Sequence, residues 1–205
     1  MRCMLWMVMW STAAFAGTIG TFTFAGTADG MIGSTPFANA AITVTAPGDF
    51  STVSCAYGSC VLNLVAGAAS FTIGGIGSGT FSDPTYFFDN QTATIEGTPP
   101  GLVGFGDGGD DIQMYGALIG GSSVFATYNL QSAIGPLGPQ TSDPSVSDWA
   151  DVNTSNGSFT VTSFSDFTFQ VIVGTATPEP GSLVLLGIGL GGLAVWNFRS
   201  RVFAR

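Results

Sequence analysis

Three aspartates, Asp107, Asp110 and Asp111 within G-F-G-D-G-G-D-D-I, are the densest set of metal-ligating side chains in this 205-residue sequence. Carboxylates beside glycine-freed carbonyls are the oxygen ligands that Ca²⁺ takes, which makes calcium the one cofactor to consider. The stretch follows neither the D-x-D-x-D-G pattern nor the G-G-x-G-x-D repeat. A solvated turn, in which Asp and Gly serve backbone geometry, uses the same residues. A second acidic group, Asp143, Asp148 and Asp151, surrounds Trp149. That ring is either a sugar-stacking platform or an ordinary core or rim tryptophan. Cys55-Ala56-Tyr57-Gly58-Ser59-Cys60 places two cysteines around a glycine-containing turn. In an oxidising compartment this spacing predicts a hairpin disulfide, Cys55 to Cys60. A zinc site would need further Cys or His ligands, which the body of the chain lacks.

The rest of the inventory is a set of exclusions. There is no histidine, and the four Lys or Arg residues are Arg2, Arg199, Arg201 and Arg205, against 13 Asp and Glu and a net charge of −9. Met4 to Phe198 therefore holds no cation, and that span cannot displace phosphate counterions; nucleic acid is excluded as a partner. Ser-His-Asp and Cys-His nucleophiles, lysine Schiff bases and arginine-clamped phosphoryl transfer go with it. Paired carboxylates, as in glycoside hydrolysis, are the catalytic device left. Acid-rich loops bring such pairs together by chance, and the chain is read as non-enzymatic. Intradomain ion pairs are equally impossible, so stability must come from apolar burial and backbone hydrogen bonds.

The elements that must position these residues are strands. Apolar and polar residues alternate with period two: Phe22 and Phe24 with Thr21 and Thr23; Ile42 and Val44 with Thr43 and Thr45; Phe167, Phe169, Val171 and Val173 with Thr168 and Gln170. Val124, Ala126, Tyr128 and Leu130 alternate likewise. Segments near 19–25, 41–46, 60–65, 69–74, 79–82, 85–89, 92–96, 112–119, 123–130, 158–164 and 166–173 predict about ten strands. Clusters such as Ala46-Pro47-Gly48-Asp49, Thr98-Pro99-Pro100-Gly101 and Gly135-Pro136-Leu137-Gly138-Pro139 read as turns. The expectation is all-β: a single β-sandwich or jelly-roll-like domain over 17–177. No repeat of fixed period supports a solenoid.

The ends differ from this body. Residues 1–16 carry Arg2, an apolar run from Cys3 to Trp10, and Ala14-Phe15-Ala16, the layout of a signal peptide cut after Ala16. At the other end Pro178-Glu179-Pro180 precedes an uncharged stretch, 182–198, with Leu183, Leu185 and Leu186 near its start and Trp196 near its end. As a helix its 17 residues span about 25 Å, the short end of what crosses a bilayer. Arg199, Arg201 and Arg205 in the tail 199–205 place that end on the cytoplasmic side, with the body outside.

Pro178-Glu179-Pro180, the S-L-V-L-L-G-I-G-L helix and the terminal arginines, in that order, resemble the PEP-CTERM sorting signal of exopolysaccharide-producing Gram-negative bacteria. The segment is also catalogued as the ice-binding protein C-terminal domain. The resemblance covers 178–205 and departs from the family in its tail, where R-S-R-V-F-A-R is more dilute than a compact arginine cluster. It implies recognition and cleavage near the Pro-Glu-Pro by an exosortase, then release or transfer of the body to the outer surface. Two prolines keep the segment extended and free of helical hydrogen bonds, as a protease requires.

Together these readings give an exported structural or adhesive protein of the cell surface or extracellular matrix. Its partners in export are signal peptidase, exosortase and, in transit, the inner membrane, with exopolysaccharide as a partner at its destination. A carbohydrate-binding module, calcium-dependent or not, is the alternative. Minor alternatives are a carboxylate-based glycosidase and an ice-binding protein, the latter from the Thr-x-Thr pairs Thr21/Thr23, Thr43/Thr45, Thr92/Thr94 and Thr160/Thr162.

Overall fold

The computed structural model describes residues 18–92, 101–108, 123–140 and 150–174. Residues Thr18–Thr175 group as one compact unit. Its chain runs β1 (Ile19–Ile32), β2 (Thr35–Asp49), a 3₁₀ turn (Phe50–Thr52), β3 (Ser54–Ala56), β4 (Ser59–Leu64), β5 (Ser70–Ile73), β6 (Gly77–Thr80), β7 (Thr85–Asn90), β8 (Leu102–Asp107), β9 (Ile134–Gln140), β10 (Val152–Thr154) and β11 (Gly157–Val173). These strands form two antiparallel sheets. The larger has the order β10-β11-β1-β2-β5-β6, with β9 also paired to β11; the smaller is β3-β4-β7-β8.

Alternation in the sequence sets which face is buried. Phe22 and Phe24 of β1 point inward with Val44 and Ala46 of β2 and Phe169 and Val171 of β11, and all are at most 5% exposed. The smaller sheet meets them with Phe87 of β7, whose ring lies 5.2 Å from that of Phe22, 6.0 Å from Phe24 and 5.0 Å from Phe105 of β8. A second aromatic group, Phe71, Phe81 and Phe159, has rings 5.4 Å apart for Phe71–Phe81 and Phe71–Phe159. Phe81 joins it to the first at 5.1 Å from Phe105. Burying each such side chain contributes roughly 1.5–3 kcal/mol, and ring pairing adds about 0.5–1.5 kcal/mol.

The larger sheet curls until its margins meet. Ser82 N–H donates to Asn153 O at 2.9 Å, Ser155 N–H to Thr80 O at 2.9 Å, and Phe81 pairs with Thr154. The ends of β6 and β10 are thus joined, and the exposed edges that invite aggregation are closed there.

Several strands differ from expectation. Segments 158–164 and 166–173 are one strand, β11. Strands β1 and β2 run further than their alternation because register shifts near Gly26 and Gly30 absorb the break in pattern. A Cβ at Gly30 would lie 2.2 Å from Thr160 O and 2.7 Å from the Phe37 ring, so only glycine fits. Ala46-Pro47-Gly48-Asp49 ends β2, and Gly135-Pro136-Leu137-Gly138-Pro139 lies in β9; neither is a turn. Residues 123–130, expected as a strand, fold as turns with Thr127 N–H on Val124 O at 3.3 Å. The segment still buries Phe125, Tyr128 and Leu130. The expected strand at 112–119 and most of that at 92–96 lie outside the described residues, as do the signal peptide and the apolar C-terminal segment.

Candidate functional site

The cysteine spacing produces the hairpin it suggests. Tyr57 and Gly58 both take positive φ, 52° and 79°, the geometry of a two-residue hairpin turn. This sets Cys55 of β3 opposite Cys60 of β4, and the two are disulfide-bonded. Tyr57 stands fully exposed at the tip. Backbone N–H groups of Gln91 and Thr92 donate to Gly58 O at 2.8 and 3.1 Å, tying the tip to the end of β7.

Directly across from Cys60 lies Asp89 of β7, with Val103 of β8 on its other side. Period two puts Asp89 on the face of Phe87, toward the other sheet. The residue is 0% exposed, and neither Oδ1 nor Oδ2 has a hydrogen-bond partner. Burial without a donor penalises the anion and pushes this carboxyl up to about 8. The Tyr128 hydroxyl, which donates to Ser132 O at 2.8 Å, is pushed up by its own burial and then by the charge of Asp89. At neutral pH Asp89 is therefore a protonated acid sealed in the core.

Asp29 and Asp49 behave in the opposite way. Asp29 accepts from the Ser163 hydroxyl and from Asn39 N–H, each at 2.6 Å, and these bonds, the Ser163 bond first, hold its carboxyl below the usual range. Asp49 accepts from Ser51 N–H at 2.8 Å with the same direction and cause. Asp83 accepts from Asn153 Nδ2 at 2.9 Å and Asp151 from Ser158 Oγ at 3.0 Å. Hydroxyls and amides take the place of the missing cations.

Asp107 does not lie in a loop. It ends β8 opposite Thr85, 7% exposed and on the face of Phe105. The other two acids of its cluster, Asp110 and Asp111, lie outside the described residues, as does Trp149. The same holds for Ala14, Ala16, Pro178, Glu179, Pro180, Leu183, Leu185, Leu186, Trp196, Arg199, Arg201 and Arg205. Among the described residues no three His, Cys, Asp or Glu side chains come together in a metal-binding group.

Of the four threonine pairs, Thr21/Thr23 and Thr43/Thr45 lie on adjacent strands, whereas Thr160 lies opposite Met31 and Thr94 falls outside the described residues. Thr23 lies opposite Thr45, Thr45 opposite Ser70, and Ser70 opposite Thr80, with Gln170 completing the row on β11. A parallel row holds Thr168, Ala25, Thr43, Thr72 and Ser78. Several of these hydroxyls are turned onto the protein: Ser70 Oγ donates to Thr45 O at 3.2 Å, Thr168 Oγ1 to Ala25 O at 3.2 Å, and Thr72 and Ser78 share a bond of 2.8 Å. The rows follow the curled wall of the larger sheet.

Sequence reasoning missed Asp89. Its signal is the alternation Thr85, Phe87, Asp89, which places an acid on the side of a buried phenylalanine.

Comparison with known proteins gives one match: residues 176–201 match the family described as the PEP-CTERM protein-sorting motif. No curated protein and no solved structure matches the chain. The motif indicates exosortase-dependent sorting of an exported protein, delivered through the membrane to the surface.

Proposed function

Taking the PEP-CTERM sorting motif at 176–201 as the premise, we propose that this chain is a structural or adhesive protein of the cell surface or extracellular matrix. A signal peptide, 1–16, exports it, and an exosortase cleaves it near Pro178-Glu179-Pro180. The observation that carries this reading is the division of charge. The four arginines lie only in the segments removed by processing, so the mature body holds no cation. The body is then a passive anionic scaffold held by phenylalanine packing and hydrogen-bonded acids.

The reading of the chain as non-enzymatic is part of this proposal. Among the described residues the two core-facing acids, Asp89 and Asp107, are both buried, and the register separates them by four residues of strand, about 13 Å. Glycosidase pairs stand closer, at roughly 5–9.5 Å, and need access to substrate.

Glycan binding is the second reading. The fully exposed Tyr57 on a braced hairpin and the hydroxyl rows of the larger sheet favour it. Binding on a glycan array, weakened by Tyr57→Ala, supports that reading, whereas no binding leaves the scaffold. The ice-binding alternative draws less from the rows, since they bend with the sheet and do not make a flat lattice.

The test of the leading reading is the intact mass of the mature protein from its native host. Termini at Gly17 and near Pro178–Pro180 are expected. An intact C-terminal segment overturns sorting in favour of a permanent anchor.

A further inference from the structure

The first and last strands of the domain are neighbours, and they end together. Gly20 pairs with Val173, and Gly174 N–H donates to Ile19 O at 2.7 Å. The chain therefore enters and leaves the domain side by side at one end of the larger sheet. Across its middle the sheet's outer face presents the rows of Thr, Ser, Gln and Ala25. At this end Thr21 lies between Ile172 on β11 and exposed Pro47 on β2, and at the far end exposed Met31 lies opposite exposed Pro36. Ile172 is 54% exposed, Ile19, two residues before Thr21, 49%, and Val173 39%. Single exposed apolar residues are normal on a protein surface, but Ile19, Pro47 and Ile172 share this face at one end and form a patch, with Val173 beside them at the strand end on the other face.

Two further facts identify the occupant. Only Thr175, Ala176 and Thr177 separate Gly174 from Pro178, a reach of about 14 Å when extended. Ser182, where the apolar stretch begins, lies eight residues beyond Gly174, or at most about 28 Å. The headgroup layer on one side of a bilayer takes up roughly 5–8 Å of that distance. The body also has no cation with which to attract lipid headgroups. Asp49, paired with Ile19, is turned back onto Ser51 N–H.

We propose that the end of the larger sheet formed by Ile19, Pro47, Ile172 and Val173 is a membrane-facing pole that rests on the lipid surface while the C-terminal segment is anchored. This rests on the reading of 182–198 as a membrane segment. The contact brings the two ends of the described domain, Ile19 and Gly174, to the lipid surface. Cleavage removes the tether and leaves the apolar contact too weak to retain the body.

The test uses the full chain with Cys3→Ser, reconstituted in phosphatidylcholine vesicles containing doxyl-labelled phosphatidylcholine. A bimane label is placed at Ile172→Cys or at Met31→Cys. Met31 is also exposed, at 46%, but lies ten residues along β1 from Thr21, the partner of Ile172, at most about 33 Å away. Quenching at position 172 several-fold stronger than at 31 is expected. In the triple variant Ile19→Ser/Ile172→Ser/Val173→Ser, labelled at Pro47→Cys, quenching falls while the melting temperature stays that of the parent. Equal quenching at 172 and 31, or none at 172 in chains that float with the vesicles, overturns the proposal. Chains that fail to float overturn the membrane-segment reading itself, and the pole with it. Slower exosortase processing of the triple variant without lipid quenching at 172 also overturns it, in favour of an enzyme contact.

Discussion

The two sheets treat a carboxylate in opposite ways. On the larger one Asp29 stays at the surface, takes two donors and remains an anion. On the smaller one Asp89 turns into the core, takes none and holds its proton. In a body without lysine, arginine or histidine no cation can follow an acid inward. Asp29 meets that constraint with hydroxyl and amide donors at the surface, and Asp89 by burial in its neutral form.

The largest effect is expected where the two sheets share a residue. Phe87→Ala removes the ring that touches Phe22 and Phe24 of one sheet and Phe105 of the other, and should destabilise the domain by about 3–5 kcal/mol in urea unfolding. A loss under about 1 kcal/mol would mean that the sheets do not depend on this contact.

Next comes the acid itself. Between pH 4 and 8 the unfolded chain ionises Asp89 while the folded one does not, so stability falls as pH rises through that window, by up to about 1.4 kcal/mol per unit. Below it both forms are protonated and above it both are charged, so the term levels off. Asp29 and Asp49, with lowered values, act with the opposite sign and only below their usual carboxylate range. Asp89→Asn should flatten the fall and leave the variant more stable than the parent at pH 8. A parent with no slope between pH 4 and 8 would break the contrast between the sheets.

The disulfide closes a short loop, and Cys55→Ser/Cys60→Ser should cost about 2 kcal/mol, read as a lower urea midpoint with unchanged slope. Asp29→Asn is the smallest change. It lies at the exposed surface and should leave the melting temperature at neutral pH almost unmoved, while the acid side of the stability profile becomes shallower.

Much of the fold was legible because strand alternation in a cation-free sequence is hard to disguise. Phe22, Phe24, Phe167 and Phe169 were read to the correct face. The failures have particular causes. Gly104 and Gly106 made β8 look like a turn, but Phe88 and Tyr86 lie across them from β7; a Cβ at either glycine would come within 2.2–2.5 Å of those rings. Pro136 and Pro139 hid β9, which tolerates them because it pairs with β11 alone. Residues 123–130 alternated as a strand should, yet local turns bury Phe125 and Tyr128 at a spacing of three, and Leu130 takes φ 60°. For the site, the cysteine pair was legible from spacing alone. Asp89 was not, because nothing in its own type marks an aspartate as buried until its strand neighbours have been placed.

The central claim is that the C-terminal segment is a sorting signal which an exosortase removes. It is tested most directly by comparing the protein in a host with and without that enzyme. With the enzyme, the body should be recovered outside the membrane fraction, ending near Pro178–Pro180 and uncut by trypsin, since Met4 to Phe198 contains neither Lys nor Arg. Without it, the chain should stay in the membrane fraction with Arg199, Arg201 and Arg205 attached. Release of a body of the same mass from the enzyme-deficient host would contradict the account.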